Sequence, residues 1–288
     1  MISSVDVVVY CDVCDGTDLR KCDPIADVVE CAECGYRFVS PRPRQVEIAE
    51  VYSDPNFYES WLAHEVGRAK MWRKRLRRLP RLAPGSRVLD VGAGIGTFLA
   101  LARDQAGWTV AGSEISRSAV QLAWERHRLE LMVGQFEELP VPAETFDLIT
   151  LWHVLEHVPS PSRLLEACHR ALVPGGWLVL AVPNDSSARW SMEQLKALLR
   201  RREPARYQRL ARGSEIHLSH FNQPILAQLL RQHGFRATRW SIDDHYPNPQ
   251  LRTNTRVALH RAILRVTGLN FGQTIFSVSQ RAAHSDAY

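Results

Sequence analysis

No apolar run in this 288-residue chain approaches the ~20 residues needed to cross a bilayer. The first ten residues lack a basic leader and carry Asp6, so they do not read as a signal peptide. Cysteine is almost missing beyond residue 34: five of the six lie before that point, and Cys168 stands alone in a helical segment. A secreted disulfide framework would spread its cysteines through the fold. Paired clustering without a secretion signal reads instead as metal ligation in a reducing compartment, and a cytoplasmic location is expected. A dominant charge of one sign is also lacking, since 36 Lys and Arg are balanced against 31 Asp and Glu, for a net charge of +5. That balance favours anionic partners without choosing among nucleic acid, phosphate esters and lipid head groups. What remains, with 45% hydrophobic residues, suits one α/β domain plus a small appendage.

The cysteines supply the first positive signal. Cys11 and Cys14 form one C-x-x-C knuckle, and Cys31 and Cys34 form a second. Each knuckle lets two thiolates converge on an ion, and two complete a tetrahedral shell, so a structural zinc is expected. Gly16 and Gly35 follow the pairs, where tight turns are needed. Cys22 falls between the knuckles and reads as a free thiol. A closed thiolate shell leaves no open position, so the module reads as a metal clip without chemistry; a redox pair or a docking finger is the competing idea.

After Pro41 and Pro43, residues 46–82 read as helices rich in Arg, Trp and Tyr. The basic run Arg73–Arg78 is expected on an outer face, with Trp72, Leu76 and Leu79 on the apolar side. Pro84 and Gly85 break the chain. Residues 87–100 then read as a buried strand ending at Asp90, a turn with Gly92, Gly94 and Gly96, and the opening of a helix. Alternating glycines let the backbone approach a nucleotide closely, and the helix N-terminus offers free N–H donors. A second strand ends in Glu114, where a carboxylate accepts from ribose hydroxyls, as it also would in a nicotinamide enzyme. Further on come a turn with Gln135 and Phe136, a strand from Phe146 to Trp152, the His153–His157 segment, and Gly175 and Gly176 before the strand Trp177–Asn184.

That order of motifs resembles the class I S-adenosylmethionine-dependent methyltransferases over nearly all of residues 84–281. The leader resembles the zinc ribbon on one bacterial branch of them. The resemblance implies an α/β fold: a Rossmann-like seven-stranded methyltransferase sheet with helices on both faces, preceded by a small zinc-ribbon module. The expected organisation is a ribbon over 1–40, a helical cap or linker over 41–83, and the catalytic domain over 84–288, with a basic lid insertion at 185–214. The resemblance also implies S-adenosyl-L-methionine as cofactor. Asp90, Gly92, Gly94 and Gly96 would cradle its methionine end, Glu114 the ribose, and Gln135 with Phe136 would border the adenine. Trp152 joins this set. The family often carries aspartate where Gln135 stands.

Methyl transfer from a sulfonium is an in-line displacement, so the protein must align the acceptor and take up its proton. His153, Glu156 and His157 follow the fourth strand at i, i+3 and i+4, the spacing of one helical face, and Glu215, His217 and His220 return later toward the same edge. Three readings stand open: a general base at His157 or His217; a divalent metal on His153, Glu156, His157 and His217; or a purely structural cap. Some methyltransferase branches with a Glu-x-x-Glu-His helix bind a metal there, but His153 replaces the first glutamate. The insertion, with Trp190, Tyr207 and Arg200, Arg201, Arg202, Arg206, Arg209 and Arg212, reads as an amphipathic lid or as a solvated basic face. A helix over 223–233, a strand over 235–242, a helix over 254–267 and a last strand over 274–280 complete the pattern.

The leading expectation is O-methylation of a small, anionic acceptor such as a glycan, lipid-linked or secondary-metabolite intermediate. An RNA methyltransferase is the alternative, although the chain has no Asn-Pro-Pro-Tyr-type segment and no single basic stripe. A non-catalytic binding module acting through the ribbon is the alternative from another class.

Overall fold

The computed structural model describes residues 5–23, 26–54, 58–187, 215–243 and 251–282, together with Leu199 and Tyr207. Most of the expected lid and the C-terminal tail therefore lie outside the described residues.

The chain opens with short strands β1 (Val5–Asp6), β2 (Leu19–Asp23), β3 (Val28–Cys31), β4 (Arg37–Val39) and β5 (Arg42–Pro43), followed by helices α1 (Gln45–Tyr52), α2 (Glu59–Ala63) and α3 (Glu65–Leu76). The main sheet then alternates with helices: β6 (Arg87–Val91), α4 (Thr97–Ala106), β7 (Thr109–Glu114), α5 (Arg117–His127), β8 (Met132–Val133), β9 (Phe146–Trp152), α6 (Pro161–Ala171) and β10 (Leu172–Pro183). After β11 (Ser219–His220) come α7 (Gln223–Gln232), β12 (Phe235–Ser241), α8 (Leu251–Thr267) and β13 (Thr274–Arg281). No described helix is long and apolar enough to cross a membrane.

The seven-stranded sheet runs β12-β13-β10-β9-β6-β7-β8, with β13 antiparallel to both its neighbours. Its central strands β6, β9 and β10 are largely buried on both faces, which is why they read as near-continuous apolar runs. Leu89, Ile149 and Leu180 pack on the face covered by α6 and α7, while Val88, Leu148 and Val179 pack toward α3 and α4. The chain leaves β6 toward β7 on one side and returns to β9 on the other, so the crevice at the carboxyl ends of β6 and β9 is the topological switch point. This is the Rossmann-like seven-stranded methyltransferase sheet expected from the motif order.

The cysteine module is built into this body. Its sheet runs β11-β4-β3-β2, so the edge strand comes from a segment 180 residues downstream of β4. Tyr36 stacks on Phe221 with ring centroids 5.7 Å apart, and Cys11, Cys31 and Phe38 share a core with Leu89 and Leu155.

Two local expectations are corrected. Residues 153–159 form turns rather than a helix: His153 has φ +58°, Pro159 disfavours α geometry at Val158, and Ser160 caps α6 only at Pro161. The basic run of α3 does not lie wholly outside. Arg75 is 3% exposed and its guanidinium grips the buried carboxylate of Asp243. Charge periodicity within one helix cannot reveal a partner 168 residues away.

Candidate active site

The turn after β6 is shaped by its glycines. Gly92 has φ +69° and Gly94 φ +54°, conformations that side chains rarely adopt. A Cβ at Gly92 would stand 2.6 Å from Val154, and one at Gly94 2.9 Å from the Trp61 ring. Glu114, buried at the end of β7, accepts from Gly94 N at 2.7 Å and from Ser116 N at 2.9 Å, which ties the turn to the second strand. Asp90 is 2% exposed and accepts a 2.6 Å hydrogen bond from the Thr150 hydroxyl. Burial nevertheless pushes its carboxyl up to about 8.

These residues open onto a cavity of about 520 Å³. Asp90, Gly92, Gly94, Glu114, Gln135, Phe136 and Trp152 line it, as do His153, Glu156, His157 and His217. Gly96 lies behind the wall as the left-handed N-cap of α4, against Ala123 and Leu129. The Trp152 indole packs among Trp72, Phe98 and Phe276, with the Arg75 guanidinium 4.7 Å from its ring. The roof comes from the helical cap, through Tyr52, Tyr58, Trp61, Arg68 and Met71. The Arg68 guanidinium lies 3.8 Å from the Trp61 ring centroid, and its buried Nε has no hydrogen-bond partner among the described residues. Burial, reinforced by the Arg75 charge, pulls its pKa down to about 10.

At the other end of the cavity, His157 Nδ1 donates to the Ile216 carbonyl at 2.6 Å, with the Tyr52 hydroxyl 2.9 Å away. That bond places the neutral imidazole's lone pair on Nε2, 3.9 Å from Glu156 Oε1. Burial holds the His157 pKa below the ordinary histidine value. The His217 ring centroid is 4.9 Å from that of His157. Glu156 is 1% exposed and its Oε2 has no hydrogen-bond partner among the described residues.

His153 plays a different part. It lies between Glu156 (3.2 Å) and Asp243 (3.8 Å), and despite burial these two carboxylates raise its pKa to about 9. Both carboxylates therefore favour its protonated form. The metal-compatible donor group at this end comprises Glu156, His157 and His217, whose donor atoms lie within 4.8 Å of one another; His153 is outside it.

The second donor group is the four cysteines. Cys11 Sγ lies 3.6 Å from Cys34 Sγ, Cys14 Sγ lies 3.5 Å from Cys31 Sγ, and all four are within 4.8 Å. A tetrahedral zinc with Zn–S near 2.3 Å needs sulfurs about 3.8 Å apart, so the arrangement fits. Burial pushes the Cys34 thiol up to about 12 and Cys11 further still, so a cation is needed before these groups persist as thiolates. Cys22 is exposed and lies outside the group.

A methyltransferase-domain family model matches residues 62–239, well over half of the chain. The chain belongs to this methyltransferase family. Two relatives are named ubiquinone biosynthesis O-methyltransferase. One, from Paracidovorax citrulli, is 38% identical over 39% of this chain and 51% of its own length. The other, from Thiobacillus denitrificans, is 35% identical over 49% and 61%. The chain thus spans about half to three-fifths of these relatives. Among solved structures, a SAM-dependent methyltransferase from Thermotoga maritima superposes with TM-score 0.54 at 19% identity, over 81% of this chain and 99% of that one. The [4+2]-cyclase SpnF superposes with TM-score 0.51 at 19% identity, over 75% and 81%. At that identity the likeness is one of fold alone.

Within this methyltransferase domain, the cap residues Tyr52, Trp61, Arg68 and Arg75 are the site members that the sequence pattern did not assign. Their only trace was the density of Arg, Trp and Tyr ahead of β6. Asp243, against Arg75 and His153, and Thr274, beside Pro183 at the carboxyl end of β10, carried no signal.

Proposed function

We propose that the chain transfers a methyl group from S-adenosylmethionine to an oxygen of a small-molecule acceptor. The observation that carries this reading is one continuous cavity, with the glycine turn and Glu114 at one end and the His157–His217 pair at the other. When bound, S-adenosylmethionine supplies an electrophilic methyl on a cationic sulfur. The residues present fit it. The Gly92–Gly94 backbone admits close approach, Glu114 offers carboxylate lone pairs to the ribose, Gln135 and Phe136 border the base, and the unpartnered Arg68 Nε suits a carboxylate. The Tyr58–Trp61 roof and the lining of Trp72 and Trp152 exclude water from that end.

On the acceptor side His157 Nε2 takes the hydroxyl proton as the oxygen–carbon bond forms and the sulfur–carbon bond breaks. Its neutral state is held by burial and its orientation by Ile216 and Tyr52. The relatives' name supports an oxygen acceptor, and the net charge of +5 suits an anionic one. The four cysteines are proposed to hold a structural zinc. A second reading of the acceptor side, a divalent cation on Glu156, His157 and His217, draws on their clustering and on the unpartnered Glu156 Oε2.

Single-turnover transfer against hydroxylated acceptors tests the base. His157→Ala and His217→Ala should each slow transfer by about 10²- to 10⁴-fold with S-adenosylhomocysteine still bound. Normal turnover in both variants would remove base and metal readings together. Restoration of wild-type rate only by added Mg²⁺ would favour the cation.

A further inference from the structure

His157 and His217 are sixty positions apart in sequence, yet both of the segments that carry them are fastened to the cysteine module. On the His157 side the fastening is Asp12, inside the first knuckle. Its carboxylate accepts from Ser160 Oγ at 2.7 Å and Ser162 N at 2.8 Å, and its carbonyl accepts from Ser162 Oγ at 2.6 Å. Those two serines open α6, directly after the 153–159 turn, and Arg42 donates to the carbonyl of Pro159 in that turn at 2.6 Å.

On the His217 side the fastening is β4. Phe38 pairs with Ser219 and Arg37 with His220. Val39 N donates to Leu218 O at 2.9 Å, and the Tyr36 hydroxyl donates to Ser219 Oγ at 2.6 Å. The two carried segments then meet each other: Leu218 N and Ser219 N both donate to the carbonyl of Glu156, at 2.7 and 3.1 Å. The module, the turn and the returning segment thus close a ring of hydrogen bonds with the histidine pair on its inner rim.

We infer that the cysteine module is a positioning element of the acceptor site, holding His157 and His217 at their observed separation through Asp12 and Tyr36. Nothing in this arrangement needs the module to touch the acceptor. The module has little core of its own, so its rigidity depends on packing against Phe221 and Leu155 together with the ion that closes the thiolate shell. A bound zinc is therefore coupled to the far histidines through Asp12 in the first knuckle and through Tyr36 and β4, which follow the second. The inference rests on the reading of His157 and His217 as the acceptor-side pair.

The test uses the full-length zinc-loaded protein, the same protein stripped by a chelator and refilled with zinc, and two variants that leave every cysteine in place, Asp12→Ala and Tyr36→Phe. The imidazole ¹H–¹⁵N resonances, assigned with His157→Ala and His217→Ala, report the histidine geometry independently of turnover. Both variants should keep about one zinc per chain and bind S-adenosylhomocysteine like the wild type. Their imidazole resonances should shift, and kcat should fall about 10- to 100-fold with KM for the methyl donor unchanged. Stripping the metal should produce the same pattern, reversed by zinc. Unmoved imidazole resonances in the stripped protein and in both variants would overturn the inference. So would loss of S-adenosylhomocysteine binding along with the metal, which would mark the module as a general stabiliser. If His157→Ala and His217→Ala turn over normally the base reading fails, whereas the resonance shifts still decide the positioning role.

Discussion

If Asp90 borders the bound cofactor as proposed, binding must change its ionisation. Burial, opposed by the Thr150 hydrogen bond, pushes its carboxyl up to about 8, so at pH 7 the empty site holds it mostly protonated. A cationic ligand beside it favours the carboxylate, and the proton leaves. Binding at pH 7 should therefore release up to about one proton per cofactor, falling toward zero near pH 9. Calorimetry in two buffers of different ionisation enthalpy measures this directly. Equal apparent enthalpies at pH 7, or an unchanged release in Asp90→Asn, would contradict the assignment. Asp90 and Glu114 could be placed at the cavity from the sequence because Asp90 lies just before the glycine turn and Glu114 ends the next strand. Arg68 was not, since its meaning depends on the Trp61 ring beneath it and on a cavity closed from several elements.

At the scale of elements, α3 is fixed to the sheet by the Arg75–Asp243 pair, whose side chains are 4% and 0% exposed. Arg75→Met leaves the buried Asp243 carboxylate with only the longer contacts to Arg78 (3.6 Å) and His153 (3.8 Å), and should cost about 3 kcal/mol in denaturant unfolding. Burial raises the Asp243 pKa, but the Arg75 charge and His153 outweigh it and hold it well below the ordinary carboxylate range. A depressed folded value gives stability that is present above the unfolded pKa and lost as pH falls through the folded one. The gap between wild type and Arg75→Met should therefore be widest near neutrality and narrow below about pH 4. A pH-independent gap would mean that packing against Trp72 and Trp152, not charge, anchors the helix. The main strands and helices α4 and α7 could be read from apolar runs and glycines. The two-residue strand β11 could not, because so short a segment has no periodicity and its pairing with β4 spans 180 residues.

Across the whole molecule, the carboxyl edge of β6 and β9 opens into a single cavity roofed by residues of α1 to α3, with the cysteine module packed behind it. The glycine turn of this cavity is proposed to receive S-adenosylmethionine. The most direct test is calorimetric titration of S-adenosylhomocysteine into the wild-type protein and into Gly94→Arg. That substitution combines a φ of +54° with a Cβ 2.9 Å from Trp61, so it both strains the turn and fills the site. Micromolar binding by the wild type, lost in Gly94→Arg while the cysteine module keeps its metal, is the predicted result. Absence of binding by the wild type, or equal affinity in the variant, would contradict the claim.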